Sequence, residues 1–253
     1  MSNIWPLNVL PGADDIDKFG RNPVVGTGAY EDVWLIGGTY TYDSISAGDG
    51  TGFALGVSSA EAADTQTISL QGLDADGNPQ SKTVALTGRT EAAVAGTWSR
   101  VFRMGNEDST DTTGQVYAFI AESSLTDGVP SAGDTRASFA VSENQSMLAL
   151  WTMPRGKQGF ITQTAGYMLS NVTASRAVTF ELQIRKPGGV FRTKRVFSTN
   201  NDGSTAAPLD LGTKGIGIIT ELSDIKIRAI ALGGDQSVAA SFHVDYWDYT
   251  ATA

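Results

Sequence analysis

Residues 65–89, TQTISLQGLDADGNPQSKTVALTGR, alternate apolar and polar side chains on both sides of a turn-forming segment. Ile68 and Leu70 share one face of the first half, and Val84 and Leu86 share one face of the second. A period of two residues is typical of a strand, whereas a helix requires a period of about 3.6 residues. The intervening DADGNP contains the Asp, Gly, Asn and Pro residues that favour tight turns. This stretch therefore predicts a β-hairpin.

The same alternation recurs along the chain, in WSRVFRM, AVTFELQIRK, DIKIRAIAL and SFHVDYWDY. No segment carries a clean helical stripe longer than about two turns. The 29 glycines and the low charged fraction of 18% are also typical of a turn-rich β protein. We therefore predict an all-β fold with two sandwich-like or jelly-roll modules, residues 31–141 and 142–253, preceded by an extended N-terminal arm over residues 1–30.

The net charge of -9 argues against nucleic acid or a membrane surface as a partner, because both require clustered cations. The chain has no cysteine, which excludes a disulfide framework, a thiolate nucleophile and a cysteine-based metal site. No window of about 20 apolar residues suits a membrane-spanning helix, and the N-terminus lacks the pattern of a secretory signal. We expect synthesis in the cytoplasm and no cofactor.

Catalytic motifs are difficult to find in this sequence. The single histidine, His243, has Asp245 two residues away, but no nucleophile is specified beside them. DADGN at residues 74–78 resembles the start of a calcium loop, yet the glutamate that would close such a loop is missing, so a turn is favoured over a metal site. Paired carboxylates for glycoside hydrolysis have no motif that nominates them. We predict a protein without catalytic or metal-binding residues.

One cationic cluster is conspicuous in this acidic chain. IRKPGGVFRTKRVF, residues 184–197, contains a Pro-Gly-Gly turn, so its cations are predicted to decorate two adjacent strands. The cations are Arg185, Lys186, Arg192, Lys194 and Arg195. They form either a solvated face or a complementary contact with an acidic neighbour, such as another copy of the chain.

The aromatic C-terminal segment FHVDYWDY also allows two interpretations. Alternating aromatic residues usually pack in a core, but Trp and Tyr on a surface can stack on sugars or anchor an interface. If Phe242, Val244 and Tyr246 face inward, Trp247 and Tyr249 face outward. Trp247 and Tyr249 are therefore the candidate ligand-binding pair.

The first 30 residues combine helix-breaking proline and glycine with apolar side chains such as Ile4 and Trp5. This composition is too apolar for a free tail. It predicts an extended arm that packs against the chain itself or against a neighbour.

Several segments resemble, in the same order, those of a family of virion structural proteins from tailed bacteriophages. They include a Phe-Gly-Arg-Asn start and a Glu-Asp-Val-Trp sequence before the first strand, both within KFGRNPVVGTGAYEDVWLIGGTYTY. QGLDADGN, the Pro-x-Gly-Lys turn of LWTMPRGKQGFI, FELQIRKPGGVFRTKRVF and LSDIKIRAIA follow. The resemblance extends from Lys18 to about Ala229.

The resemblance implies a non-enzymatic virion component that is made in the host cytoplasm and assembles with major capsid, neck or tail subunits, most often as a homo-oligomer. Capsid decoration is favoured, and a neck- or tail-associated receptor-binding protein that recognises glycans is the alternative. In such an assembly the arm would reach a neighbouring subunit. Its expected anchors are Trp5, Phe19, Arg21 and Trp34.

Overall fold

The computed structural model describes residues 12–43, 52–169, 176–200, 209–210 and 216–249. All elements assigned in these ranges are β-strands, which confirms the predicted all-β fold class. In chain order the strands are β1 (Asp14–Val25), β2 (Glu31–Asp32), β3 (Phe53–Ser59), β4 (Thr67–Asp74), β5 (Pro79–Ala85), β6 (Ala92–Asn106), β7 (Val116–Ile120), β8 (Thr135–Phe139), β9 (Leu150–Thr152), β10 (Lys157–Met168), β11 (Ala177–Arg185), β12 (Arg192–Asn200), β13 (Leu209–Asp210), β14 (Asp224–Leu232) and β15 (Gln236–Asp248).

Strands β3 to β8 form a six-stranded antiparallel sheet with the order β5-β4-β6-β3-β7-β8. The predicted hairpin is the β4–β5 pair, in which Ile68 lies opposite Val84. Its turn is closed by the Asp74 carboxylate, which accepts hydrogen bonds from the backbone N–H groups of Asp76 at 2.9 Å and Asn78 at 2.8 Å. These bonds confirm the interpretation of DADGNP as a turn.

Two further sheets share one apolar core. The first has the order β1-β15-β10-β13, and the second has the order β12-β11-β14-β2 with β9 also paired to β14. Phe180 and Leu182 of β11 and Phe242 and Val244 of β15 are all buried in the same hydrophobic cluster. Alternate residues of each strand thus point toward the facing sheet, which is the packing of a β-sandwich.

The predicted arm includes a regular strand. Residues 14–25 form β1, which pairs antiparallel with β15 of the same chain from Asp14 opposite Tyr246 to Asn22 opposite Val238. This part of the arm therefore packs within its own subunit. Residues 1–11 lie outside the described residues. The domain boundaries at residues 30 and 141 stay predictions, and β2 at residues 31–32 joins β14 rather than the six-stranded sheet.

A buried ionic network connects the six-stranded sheet to the five-stranded group. Asp224 at the start of β14 accepts hydrogen bonds from Arg100 Nη2 of β6 at 3.0 Å and from Thr152 Oγ1 of β9 at 2.6 Å. Its second oxygen accepts one from Arg185 Nε of β11 at 2.9 Å. The side chains of Arg100 and Asp224 are only 3% and 5% exposed. The Asp224 carboxylate thus connects β14 to β6, β9 and β11 through hydrogen bonds.

Candidate subunit interface

The predicted cationic hairpin is formed by β11, β12 and the turn between them, where Gly188 has a φ of +68°. Strand β12 is the terminal strand of its sheet. Four predicted cations on the turn and β12 are solvent-exposed, and together they define the cationic edge: Lys186, Arg192, Lys194 and Arg195. The structure therefore brings these four predicted residues together at one margin of the molecule.

Arg185 does not belong to this exposed group. Its guanidinium pairs with the buried Asp224 carboxylate. It also lies over two aromatic rings, with Cζ at 4.7 Å from the centroid of Phe191 and at 4.9 Å from that of Tyr42. The charge of Arg185 is therefore already paired inside its own chain, and its contact with a neighbouring subunit stays a prediction.

The cationic edge differs from most other cations of the described chain in having no ionic partner. Within the ranges that the structure describes, none of its four side chains forms a salt bridge. Salt bridges are formed instead by Arg21, Arg89, Arg100, Arg136, Lys157, Arg185, Lys226 and Arg228. Unpaired cations on one strand edge create a local positive potential on an otherwise acidic protein.

Exposed aliphatic side chains accompany these cations. Val190 in the turn is 71% exposed, Ile218 is 63% exposed and Val196 on β12 is 58% exposed. A cleft of about 510 Å³ lies between the hairpin turn and residues 216–220, with Ile184 among the residues that line it. Three cations of the cationic edge, Lys186, Arg192 and Lys194, also line this cleft. An apolar surface with a charged rim is a common feature of protein–protein interfaces.

The predicted arm anchors have different environments. Trp34 is only 1% exposed and packs against Tyr40, with ring centroids 5.1 Å apart. Its expected contact with a neighbouring subunit is wrong, because the indole lies in the core of its own chain. Arg21 forms an ion pair of 2.6 Å with Glu143, also within the chain. Trp5 lies outside the described residues.

Phe19 lines an apolar groove of about 310 Å³ on the four-stranded sheet. Tyr167 and Leu169 of the same groove are 38% and 49% exposed. Met147, Ala239 and Ala240 also line it. Of the arm residues that the structure describes, Phe19 thus has the surroundings that best suit an anchor.

The predicted ligand-binding pair at the C-terminus is only partly exposed. Tyr249 is 57% exposed, but Trp247 is 8% exposed. Trp247 packs against Phe160 of β10, with ring centroids 5.6 Å apart. The expected outward exposure of Trp247 is therefore wrong, because Phe160 on the neighbouring strand covers the ring.

His243 joins β15 to β1 through a cluster of carboxylates. Its Nδ1 lies 2.7 Å from Asp17 Oδ1, and its Nε2 lies 3.2 Å from Asp245 Oδ1 and 3.7 Å from Asp15 Oδ2. On the opposite side of β15 from β1, Gln163 of β10 is the strand partner of His243. Burial alone would lower the pKa of His243, but the hydrogen bonds and charges of Asp17 and Asp245 raise it above 6.5. Asp15 and Asp17 were not identified from the sequence, because strand pairing across more than 200 residues has no local signal.

We expect the His243 cluster to make stability depend on pH. Because its pKa is raised in the folded state, its stabilising contribution is fully present below pH 6.5 and is lost as pH rises through the raised value. His243→Gln should therefore lower the free energy of unfolding at low pH and have a smaller effect at high pH. Urea unfolding of both proteins across this range measures the difference.

Wild type must be compared with His243→Gln, because Lys18 gives the free energy of unfolding the opposite dependence on pH. Burial, with a smaller effect from Arg103, lowers the pKa of Lys18 from 10.5 to about 7, so this group favours the folded state more as pH rises between those values. Lys18 is common to both proteins and cancels in the difference. A gap between wild type and variant that is constant with pH would contradict the assigned role of His243.

The described residues include no group of three or more His, Cys, Asp or Glu side chains placed to hold a metal ion. In the same ranges no helix is long and apolar enough to cross a membrane. These findings concern only the described parts of the chain, and the prediction of a protein without enzymatic activity stays a prediction.

No protein-family model matches the chain, and no curated protein matches it. Among solved structures, the crystal structure of the infectious bursal disease virus VP2 subviral particle shares 12% identity over 96% of this chain and 73% of that chain, with a TM-score of 0.23. The structure of the infectious bursal disease virus Gt strain shares 9% identity over 94% and 73%, with a TM-score of 0.19. At these TM-scores the backbones do not superpose as one fold, so neither similarity bears on the function of this chain.

Proposed function

We propose that this protein is a non-enzymatic structural component of a tailed-phage virion and acts as a capsid decoration or accessory protein. The observation that carries the proposal is the cationic edge beside exposed Val190 and Ile218 on a chain of net charge -9. Such a surface suits attachment to an acidic protein neighbour. The resemblance of the chain to tailed-phage structural proteins supports the same role.

The two parts of this surface have different physical tasks. Burial of Val190 and Ile218 against a partner removes apolar area from water and supplies affinity. The cations orient the partner and speed its association, because charges at the margin of an interface act mainly on specificity and on-rate. The many paired strands provide a stable body that holds this surface in place.

The cluster around His243 supports a structural rather than a catalytic assignment. Its hydrogen-bond partners are the carboxylates of Asp17 and Asp245, and within the described part of the chain no hydroxyl nucleophile contacts the imidazole. A base that activates a nucleophile must lie within hydrogen-bonding reach of it. We propose that His243 links β1 to β15.

Immunogold labelling of intact phage particles with antibody against this protein tests the proposed role. We expect gold over the head surface of the particle. Label restricted to the neck or tail would replace decoration with the alternative of a receptor-binding position. Absence of label on particles that are labelled by antibody against their major capsid protein would overturn the virion role.

A further inference from the structure

We propose that the cationic edge of one copy binds the acidic start of β1 in a second copy, so that subunits associate head to tail. This inference rests on the proposed function, in that it names the partner for the surface described above. The acidic start of β1 is defined by Asp14, Asp15 and Asp17. It lies on a different sheet from the cationic edge.

Both elements are terminal strands of their sheets. Strand β12 ends the five-stranded group, and β1 ends the four-stranded sheet. The backbone hydrogen bonds of the described residues give the Asp14–Lys18 part of β1 no partner strand on the side away from β15. Unpaired strand edges present N–H and C=O groups that readily accept an additional strand. Among the described residues, each copy thus offers two strand edges without a partner strand, and these edges can join to one another.

The charges on the two edges match in sign and spacing. Arg192 and Lys194 are two residues apart on β12, and Asp15 and Asp17 are two residues apart on β1. Residues at this spacing in a regular strand lie about 7 Å apart on one face. A β-bulge interrupts the β11–β12 register at Lys194, but Arg192 and Lys194 still line the same cleft. The side chains of Asp15 and Asp17 are 56% and 76% exposed. Opposed strands could therefore pair the two cations with the two carboxylates.

The start of β1 keeps a negative charge within its own chain. Asp15, Asp17 and Asp245 surround His243, and a protonated imidazole supplies at most one positive charge to three carboxylates. The neighbouring Lys18 does not compensate them, because its buried amine donates to the carbonyl of Phe102. Excess negative charge is thus available to a cation from outside the subunit.

The separation of the two charged edges specifies the kind of assembly. A twofold contact through β12 would place cations against cations, which costs free energy. A contact between unlike surfaces is heterologous, and it produces a closed ring or an open filament rather than a symmetric dimer. The acidic edge of each copy then occupies the cationic edge of the next.

Sedimentation velocity of the full chain tests the contact, with Lys194→Glu as the test variant and Lys82→Glu as the matched control. Lys82 is also exposed on a terminal strand, β5, and it has the same charge change. At about 50 mM NaCl we expect Lys194→Glu to weaken self-association roughly tenfold or more, and Lys82→Glu to change it less than about twofold. About 500 mM NaCl should weaken the wild-type association, because salt screens exposed charges.

A mixing experiment separates the head-to-tail contact from a twofold one. Asp15→Lys alone should also weaken self-association, and an equimolar mixture of Asp15→Lys and Lys194→Glu should recover complexes, because the cationic edge of the first protein still fits the acidic strand of the second. Asp15→Lys is preferred to a change at Asp17, which lies closer to His243. Thermal unfolding of both variants checks that they fold.

Three results would overturn the inference. They are a wild-type chain that stays monomeric at low salt, equal behaviour of Lys194→Glu and Lys82→Glu, and no effect of Asp15→Lys. In the first two cases the cations protect a free strand edge against pairing, as lysine does on many natural sheet edges. None of these results affects the position of the protein on the particle, so the proposed function is judged separately by the labelling.

Discussion

Replacement of Asp224 by alanine lowers the free energy of unfolding by about 3–5 kcal/mol, the cost of removing one member of a buried ion pair. Asp224 is 5% exposed and accepts hydrogen bonds from Arg100 and Thr152 on one oxygen and from Arg185 on the other. Without it the Arg100 guanidinium stays buried with only neutral partners, such as the carbonyl oxygen of Asp43. Desolvation of that charge is then uncompensated, and the six-stranded sheet loses its ionic connection to β14.

Chemical denaturation measures this loss, and Glu61→Ala is the control. Glu61 pairs with Arg89 at 3.6 Å, but the two side chains are 49% and 42% exposed, so we expect a change below about 1 kcal/mol. Asp224→Asn distinguishes charge from volume, because the amide nearly preserves the shape of the carboxylate. Equal effects of the changes at Asp224 and Glu61 would contradict the role of the buried network.

Replacement of Trp34 by alanine is expected to cost about 3–5 kcal/mol of stability, as for other large aromatic side chains removed from a core. Trp34 is 1% exposed, its ring packs edge-on against Tyr40, and its backbone forms a β-bridge with Leu148. Trp34 precedes β3 and Leu148 follows β8 in the chain. The substitution therefore leaves a cavity where the segments on either side of the six-stranded sheet meet.

Trp34→Phe and Phe19→Ala provide the comparison for this second variant. Phenylalanine retains an aromatic ring at residue 34, so a smaller loss of roughly 1–2 kcal/mol is expected. Phe19 is only half-buried and lines the outer groove, so its truncation should affect stability less than that of Trp34. If Trp34→Ala left unfolding unchanged and weakened only association between subunits, the assignment of Trp34 to the core would be wrong.

Local patterns were sufficient for several strands and turns, although not for β1, which lies in the predicted arm. Ile68 and Leu70 of β4 are buried as their alternation predicted, and so are Phe180 and Leu182 of β11. The turns at residues 74–79 and 187–189 also agree with their Asp, Asn, Gly and Pro content. These features depend on neighbours within a few residues, which is the range over which strand periodicity and turn chemistry act.

The environment of individual side chains was predicted less well. Alternation along β15 predicts that Trp247 faces solvent, yet Phe160 of an adjacent strand packs against its ring. The sequence places Arg185 in one cluster with four other cations, but a carboxylate from β14 neutralises it. In both cases the partner comes from a strand whose position no local pattern specifies.

The sequence by itself determined the all-β class, the hairpins and the concentration of cations around residues 185–195, because periodicity, turn residues and charge are local properties of a chain. Only the tertiary structure decided which of those cations are free, that Trp34 lies in the core, and that Asp17 reaches His243 from the other end of the chain. The physical reason is that burial and ion pairing depend on which strands become neighbours, and contacts between distant segments form only when the sheets assemble.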